Sequence, residues 1–225
     1  EVIEDTLTTL NAMGVSIFVI RHAKNNLPMK LADNVCANIH IINAGDGQHA
    51  HPSQAMLDVM TILERKADIK QLKIAIVGDI KHSRVANSLQ QIFALLGVKE
   101  LVLIAPDLWQ PETVHYGQMT DSLRDGLHNA DVVICLRVQK ERLLNGEHVD
   151  IDSYRRQFSL TTKTLGYAKK DAILMHPGPV NRGIELDCEV ADSAQSVILQ
   201  QVQNGVFMRM AILESIGQSM NHLKN

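Results

Sequence analysis

The chain is short of several features that would each point to a class of protein. Its three cysteines, Cys36, Cys135 and Cys188, are isolated, with no CxxC pair. They read as buried thiols of a protein from a reducing compartment, not as a disulfide framework. There is no run of 18 apolar residues, no signal-peptide pattern and no lipidation motif, so nothing reads as a membrane span or anchor, and the expected location is the cytoplasm. Charge of neither sign dominates: 22 Lys and Arg against 25 Asp and Glu give a net charge of -3, which offers no field for nucleic acid or membrane. Repeats, low-complexity tracts and a Gly/Ser linker are absent as well. What remains is ordinary for a globular protein, with 45% hydrophobic and 21% charged residues in 225.

Apolar runs of strand length alternate with helical stripes. A helix over about 2–13 carries Val2, Ile3, Leu7, Leu10 and Met13 on one face, and a strand at 16–20 ends at Arg21. That helix begins at the first residue, Glu1, which is not an initiator Met, so an N-terminal stretch is expected to be missing. A short helix near Leu31 leads to a strand at 40–43. Pro52 suits the first turn of a helix running to about Lys66, with Ala55, Met56, Val59, Met60 and Leu63 inward. Further strands are expected at 73–77, 101–104, 131–136 and 172–175. Between them lie a helix with the stripe Val85, Leu89, Ile92, Phe93 and Leu96, closed by Gly97, and weaker helices near 123–127, 151–156 and 162–167. A last helical region over about 194–220 is expected to break at Asn204-Gly205.

The alternation predicts an α/β fold built from parallel βαβ units. It reads as two doubly wound domains, each with a central parallel sheet covered by helices, linked by two helices. The expected division is 1–66 with 201–225 as one domain and 67–200 as the other.

Four motifs begin where strands end, which is where ligands bind in open α/β sheets. His51-Pro52-Ser53-Gln54 places His51 and Gln54 one turn apart at a helix N-terminus, facing an anion or a developing oxyanion; a turn or capping histidine is the plainer alternative. A metal at His49 and His51 is poorly supported, since no third ligand has suitable spacing. Val77-Gly78-Asp79 follows a strand but lacks GxGxxG, and the next strand ends without an acidic residue, which argues against a dinucleotide. Arg84, at the following helix start, reads as an anion ligand or a solvated helix-end arginine. Arg137 and Gln139, two residues apart after the strand at 131–136, suit a carboxylate; Glu141 can fix an arginine, and a solvated charged loop is the alternative. In His176-Pro177-Gly178-Pro179, two prolines remove N–H donors and leave carbonyls for a ligand NH₂ group, or form a plain turn, with an X-Pro bond suited to cis.

The segments NAGDGQHAHPSQ, VGDIKHSR, RVQKER and HPGPVNRG resemble the catalytic chain of aspartate carbamoyltransferases, within the aspartate/ornithine carbamoyltransferase superfamily, over essentially the whole length given. The ornithine enzymes are similar at the HPxQ motif but carry other motifs after the later strands. The resemblance implies transfer of a carbamoyl group from carbamoyl phosphate to the amine of L-aspartate, in pyrimidine synthesis, without cofactor or metal. It assigns Arg21 and His51 to the carbonyl oxygen as catalytic residues. Carbamoyl phosphate is held by Arg21, His51, Gln54 and the carbonyls of Pro177 and Gly178, and the aspartate carboxylates by Arg84, Arg137 and Gln139.

The family's Ser-Thr-Arg-Thr phosphate loop, and its Ser/Lys loop given by a neighbouring subunit, fall upstream of Glu1 and do not occur in this sequence. The resemblance also implies a homotrimer with shared active sites, joined in some relatives by regulatory or dihydroorotase chains. A transcarbamylase for another amino acid, and a non-catalytic homologue serving as a partner or scaffold, are the alternatives.

Overall fold

The computed structural model describes residues 2–138 and 150–222. Helix α1 (Ile3–Ala12), strand β1 (Ile17–His22), helix α2 (Leu27–Asn34), strand β2 (His40–Asp46) and helix α3 (Pro52–Arg65) form the first part. Strands β1 and β2 pair in parallel, and Leu7, Phe18, Leu27, Leu31 and Ile39 form a small core beside them.

The second part holds strands β3 (Lys73–Val77), β4 (Glu100–Ile104), β5 (Gln118–Thr120), β6 (Val132–Cys135) and β7 (Ile173–Met175). Their order is β5-β4-β3-β6-β7 and every pair is parallel. Strands β3, β6 and β7 are apolar and almost wholly buried, as strands covered on both faces must be. The covering helices are α4 (Arg84–Leu96), α5 (Leu123–Leu127), α6 (Ile151–Phe158), α7 (Thr162–Leu165) and α8 (Cys188–Ala191), followed by the long helix α9 (Ile198–His222).

This strand order reverses direction between β3 and β6. A crevice therefore opens at their carboxyl ends, where Val77 stands level with both Ile104 and Cys135. Gly78 allows the closure there. Its φ of +132° suits glycine alone, and a Cβ on it would stand 2.9 Å from Leu136 Cβ.

Several expectations are corrected. Helix α9 runs unbroken through Asn204-Gly205. Asn204 is buried there, donating to Thr61 Oγ1 at 3.0 Å and to Glu64 Oε2 at 2.7 Å on α3, so it joins two helices instead of ending one. Gly205 serves close packing, since a Cβ would meet Leu57 at 3.4 Å and the Arg209 guanidinium at 2.6 Å.

The inward face of α3 is also turned from the expected one. Leu57, Asp58, Thr61 and Ile62 are buried with Ala55 and Val59, while Met56 and Leu63 are exposed. Hydrophobic periodicity misses this face because its contact with α9 is partly polar. Cys135 is buried, but Cys36 and Cys188 are exposed, lying just beyond α2 and at the start of α8. The short strand β5 and helix α8 carry too few residues to show a period.

Candidate active site

One cavity of about 300 Å³ opens at the carboxyl ends of the strands. Its wall includes Arg21, His51, Gln54, Arg84, Arg137, Pro177 and Gly178. Each of these was an expected ligand residue, and five separate stretches of chain supply them. Gln139 lies outside the described residues, as do Glu141 and Arg142.

Local structure explains how each side chain arrives. The β1–β2 pairing slips between Ile20 and His22, so Arg21 sits at the irregularity, a device that re-aims side chains at sheet ends. Asp46, at the end of β2, then organises the loop leading to His51. It accepts from Asn26 N at 2.5 Å, Asn43 Nδ2 at 3.0 Å and Ala50 N at 3.1 Å, and contacts His49 Nδ1 at 3.1 Å. Burial disfavours its charge, yet the bonds from Asn43 and Asn26, with the charge of His49, hold the carboxyl below its ordinary range. His49 is thus occupied with Asp46.

His51 stands at the N-cap of α3 and Pro52 follows at the first position, as expected. The His51 N–H donates to Ser88 Oγ on α4 at 2.8 Å, tying the two helix starts together. Burial depresses the His51 imidazole to about 4, aided by the charges of Arg84, Arg21 and Arg209. At neutral pH the ring is therefore uncharged, and one nitrogen is a donor while the other accepts.

Arg84 opens α4, whose N-cap Ser83 accepts the Ala86 N–H at 3.1 Å. The guanidinium lies over the turn after β2, with Nη1 3.4 Å from the Gly47 carbonyl. Gly45, at φ +116°, makes room, because a Cβ there would stand 2.9 Å from Arg84 Cζ.

The residues after β6 and β7 are locked to each other by buried Glu185. Its carboxylate accepts from Val138 N at 3.4 Å and from Asn181 N at 2.6 Å and Nδ2 at 3.2 Å, and contacts His176 Nε2 at 3.3 Å. Within the loop, His176 Nδ1 accepts the Gly178 N–H at 2.9 Å. With that N–H taken and none on Pro177 or Pro179, carbonyls are the loop's remaining backbone hydrogen-bonding groups. The Gly178-Pro179 bond is cis.

Three polar residues of the wall had no expected ligand role: Asp79, Ser83 and Arg209. Asp79 and Ser83 flank the foreseen Arg84 within one segment, and Asp79 accepts His82 N–H at 3.0 Å. Arg209 comes from the middle of α9, where its Nη1 donates to the Gly205 carbonyl at 2.7 Å. No strand end or turn marks it in the sequence. Among the described residues, Arg21, Arg84, Arg137 and Arg209 outweigh the single carboxylate, Asp79, so the cavity suits a ligand with several negative charges.

Comparison with known proteins agrees with this geometry. Residues 1–64 match the carbamoyl-P binding domain of aspartate/ornithine carbamoyltransferases, and residues 70–216 match the Asp/Orn binding domain. The chain belongs to the aspartate/ornithine carbamoyltransferase family. It is 63% identical over 216 residues to the aspartate carbamoyltransferase catalytic subunit of Legionella pneumophila (strain Lens), covering 96% of this chain and 73% of that protein. Identity to the subunit of the same name from Coxiella burnetii (strain Dugway 5J108-111) is 50%, over 95% of this chain and 69% of that one.

Among solved structures, aspartate transcarbamoylase from Trypanosoma cruzi in complex with carbamoyl aspartate and phosphate superposes with a TM-score of 0.82 at 31% identity, covering 95% of this chain and 69% of that one. Ornithine carbamoyltransferase from Pyrococcus furiosus gives the same TM-score at 26% identity, over 95% and 70%. The fold is thus shared by both kinds of carbamoyltransferase, and the choice of acceptor rests on the site. No helix among the described residues is long and apolar enough to cross a membrane.

Proposed function

We propose that this protein transfers the carbamoyl group of carbamoyl phosphate to the α-amine of L-aspartate, giving N-carbamoyl-L-aspartate and phosphate. The observation that carries this reading is the meeting of His51, Gln54, Pro177 and Gly178 with Arg21, Arg84 and Arg137 around one cavity. Relatives named aspartate carbamoyltransferase catalytic subunit support the acceptor. So does the lining: among the described residues, the second, cationic amine of ornithine has four arginines to face and one carboxylate, whereas the side-chain carboxylate of aspartate finds guanidinium forks.

In the proposed mechanism the α-amine attacks the carbonyl carbon, forming the C–N bond and a tetrahedral oxyanion. The bond from carbon to the phosphate oxygen then breaks, and the departing phosphate takes the amine's proton. Arg21 and the uncharged His51 donate to the carbonyl oxygen. Charge on that oxygen grows only in the transition state, where one aimed donor is worth about 3 kcal/mol. Gln54 and the Pro177 and Gly178 carbonyls hold the carbamoyl NH₂ group, and Arg84, Arg137 and Gln139 hold the aspartate carboxylates. Fixing amine and carbonyl in contact lowers the entropic part of the barrier. The reaction needs no protein nucleophile.

This reading also divides the chain into a carbamoyl phosphate half, 1–66 with 201–225, and an aspartate half, 67–200. The family resemblance supports a homotrimer with shared sites, the association with regulatory or dihydroorotase chains found in some relatives, a cytoplasmic location and a place in pyrimidine synthesis. Steady-state assays of the full-length gene product with L-aspartate and with L-ornithine test the choice of acceptor. Carbamoyl-aspartate is the expected product, with citrulline formed far more slowly; faster citrulline formation rejects the assignment.

A further inference from the structure

One turn beyond Gln54 on α3 stands Asp58, fully buried, in a place where the cavity does not reach it. Its Oδ1 accepts two side-chain amides, Gln54 Nε2 at 2.9 Å and Gln201 Nε2 at 2.6 Å, the latter from α9. The other end of the Gln201 amide, Oε1, accepts the His176 backbone N–H at 2.9 Å. A continuous chain therefore runs from Gln54 through Asp58 and Gln201 to the residue before Pro177 and Gly178. It joins two walls of the cavity behind its surface.

Oδ1 accepts from the nitrogen end of both amides, so it fixes which way each of them faces. Asp58 draws the NH₂ end of Gln54 inward and leaves Oε1 as the end turned from it. Gln201 transmits the same constraint, since its NH₂ end is held by Asp58 and its oxygen is committed to the His176 N–H. Acceptors then face one space from both walls: the Gln54 amide oxygen from α3, and loop carbonyls from the segment after β7. Such a pair suits a planar NH₂ donor.

We propose that Asp58, with Gln201 as its relay, is a positioning residue for the carbamoyl NH₂ group: it sets the Gln54 amide oxygen and the 176–178 loop as the acceptors of that group. The proposal rests on the carbamoyl phosphate reading above and extends it to two residues that touch no substrate. The cost of keeping a carboxylate here agrees with such a role. Burial lifts the Asp58 carboxyl to about 7 against the two amides that lower it, and Oδ2 is buried with no hydrogen-bond partner among the described residues.

A double-mutant cycle in the full-length protein tests this. Asp58→Asn keeps the shape but offers an NH₂ group to Gln54, so the amide is free to turn over. The variant is expected to raise the KM for carbamoyl phosphate and lower kcat/KM about tenfold, the scale of one misplaced hydrogen bond, while the KM for aspartate moves less than about twofold. In a Gln54→Ala background the same change is expected to cost less than about twofold more, because its route of action is gone. Gln201→Leu, measured in the same way, serves as the second variant should Asp58→Asn fold poorly, and is expected to show the same preference for the carbamoyl phosphate KM.

Equal losses in both backgrounds, or an equal rise in the aspartate KM, make Asp58 a structural residue and overturn the proposal while leaving the activity assignment intact. Failure of the wild-type protein to form carbamoyl-aspartate removes the activity assignment, and the proposal with it.

Discussion

Gly78 and Leu136 face each other across the boundary between β3 and β6 so closely that a Cβ on the glycine would stand 2.9 Å from the leucine Cβ. This contact brings Asp79 and Arg137, each the next residue along, to one crevice. Gly78→Ala combines a clash with a backbone angle of φ +132° that an alanine resists. It is expected to cost about 1–3 kcal/mol, seen as a lower urea midpoint, and to raise the KM for aspartate more than that for carbamoyl phosphate.

Arg84 approaches the cavity from the start of α4 and Arg137 from the segment after β6, and both are assigned to aspartate. Removing either guanidinium deletes a charge-assisted pair worth about 1.5–3 kcal/mol, which corresponds to a fall of about 10- to 100-fold in kcat/KM for aspartate. The KM for carbamoyl phosphate is expected to change little in Arg137→Ala. A variant that loses carbamoyl phosphate instead exchanges the assignments.

His51 carries a pH prediction with a definite sign. Its imidazole falls from 6.5 to about 4 on folding, so the unfolded chain binds more protons between those values. Its contribution to stability is full above about pH 6.5 and is lost as pH falls toward 4. NMR titration of the free protein is expected to show an uncharged ring at pH 6. His51→Ala is expected to lower kcat more than it raises the KM for carbamoyl phosphate, and it should flatten the acid dependence of Tm in that window.

Asp58 works in the opposite sense. Its carboxyl rises from 3.8 to about 7, so the folded protein binds the extra proton and its contribution to stability declines as pH climbs through that range. Relative to Asp58→Asn, the wild type is therefore expected to lose Tm between pH 4 and 7. A constant difference across that range contradicts the burial of an ionisable group at this position.

Strand-end motifs made most of the site readable from sequence. In a parallel sheet the carboxyl ends all lie on one side, so each motif after an apolar run must reach the same edge. His51, Gln54, Arg84, Arg137, Pro177 and Gly178 are legible for that reason, whereas Arg21 enters only through the family resemblance. Arg209 is not legible, since it comes from mid-helix, where no strand points. The phase of α3 was misread because Asp58 and Thr61 are buried through hydrogen bonds with α9, which hydrophobic spacing does not record. Asn204-Gly205 has the composition of a helix end, yet here the asparagine bonds α3 and the glycine admits Leu57 and Arg209.

Phosphate and dicarboxylate sites share one cavity in this reading, so a single molecule joining a phosphonate to the amine of L-aspartate should span both. In the full-length protein this molecule is expected to compete with carbamoyl phosphate, and its affinity is expected to fall at least about tenfold in His51→Ala and, separately, in Arg137→Ala. Inhibition that carbamoyl phosphate does not relieve, or an affinity that either variant leaves intact, contradicts the shared cavity.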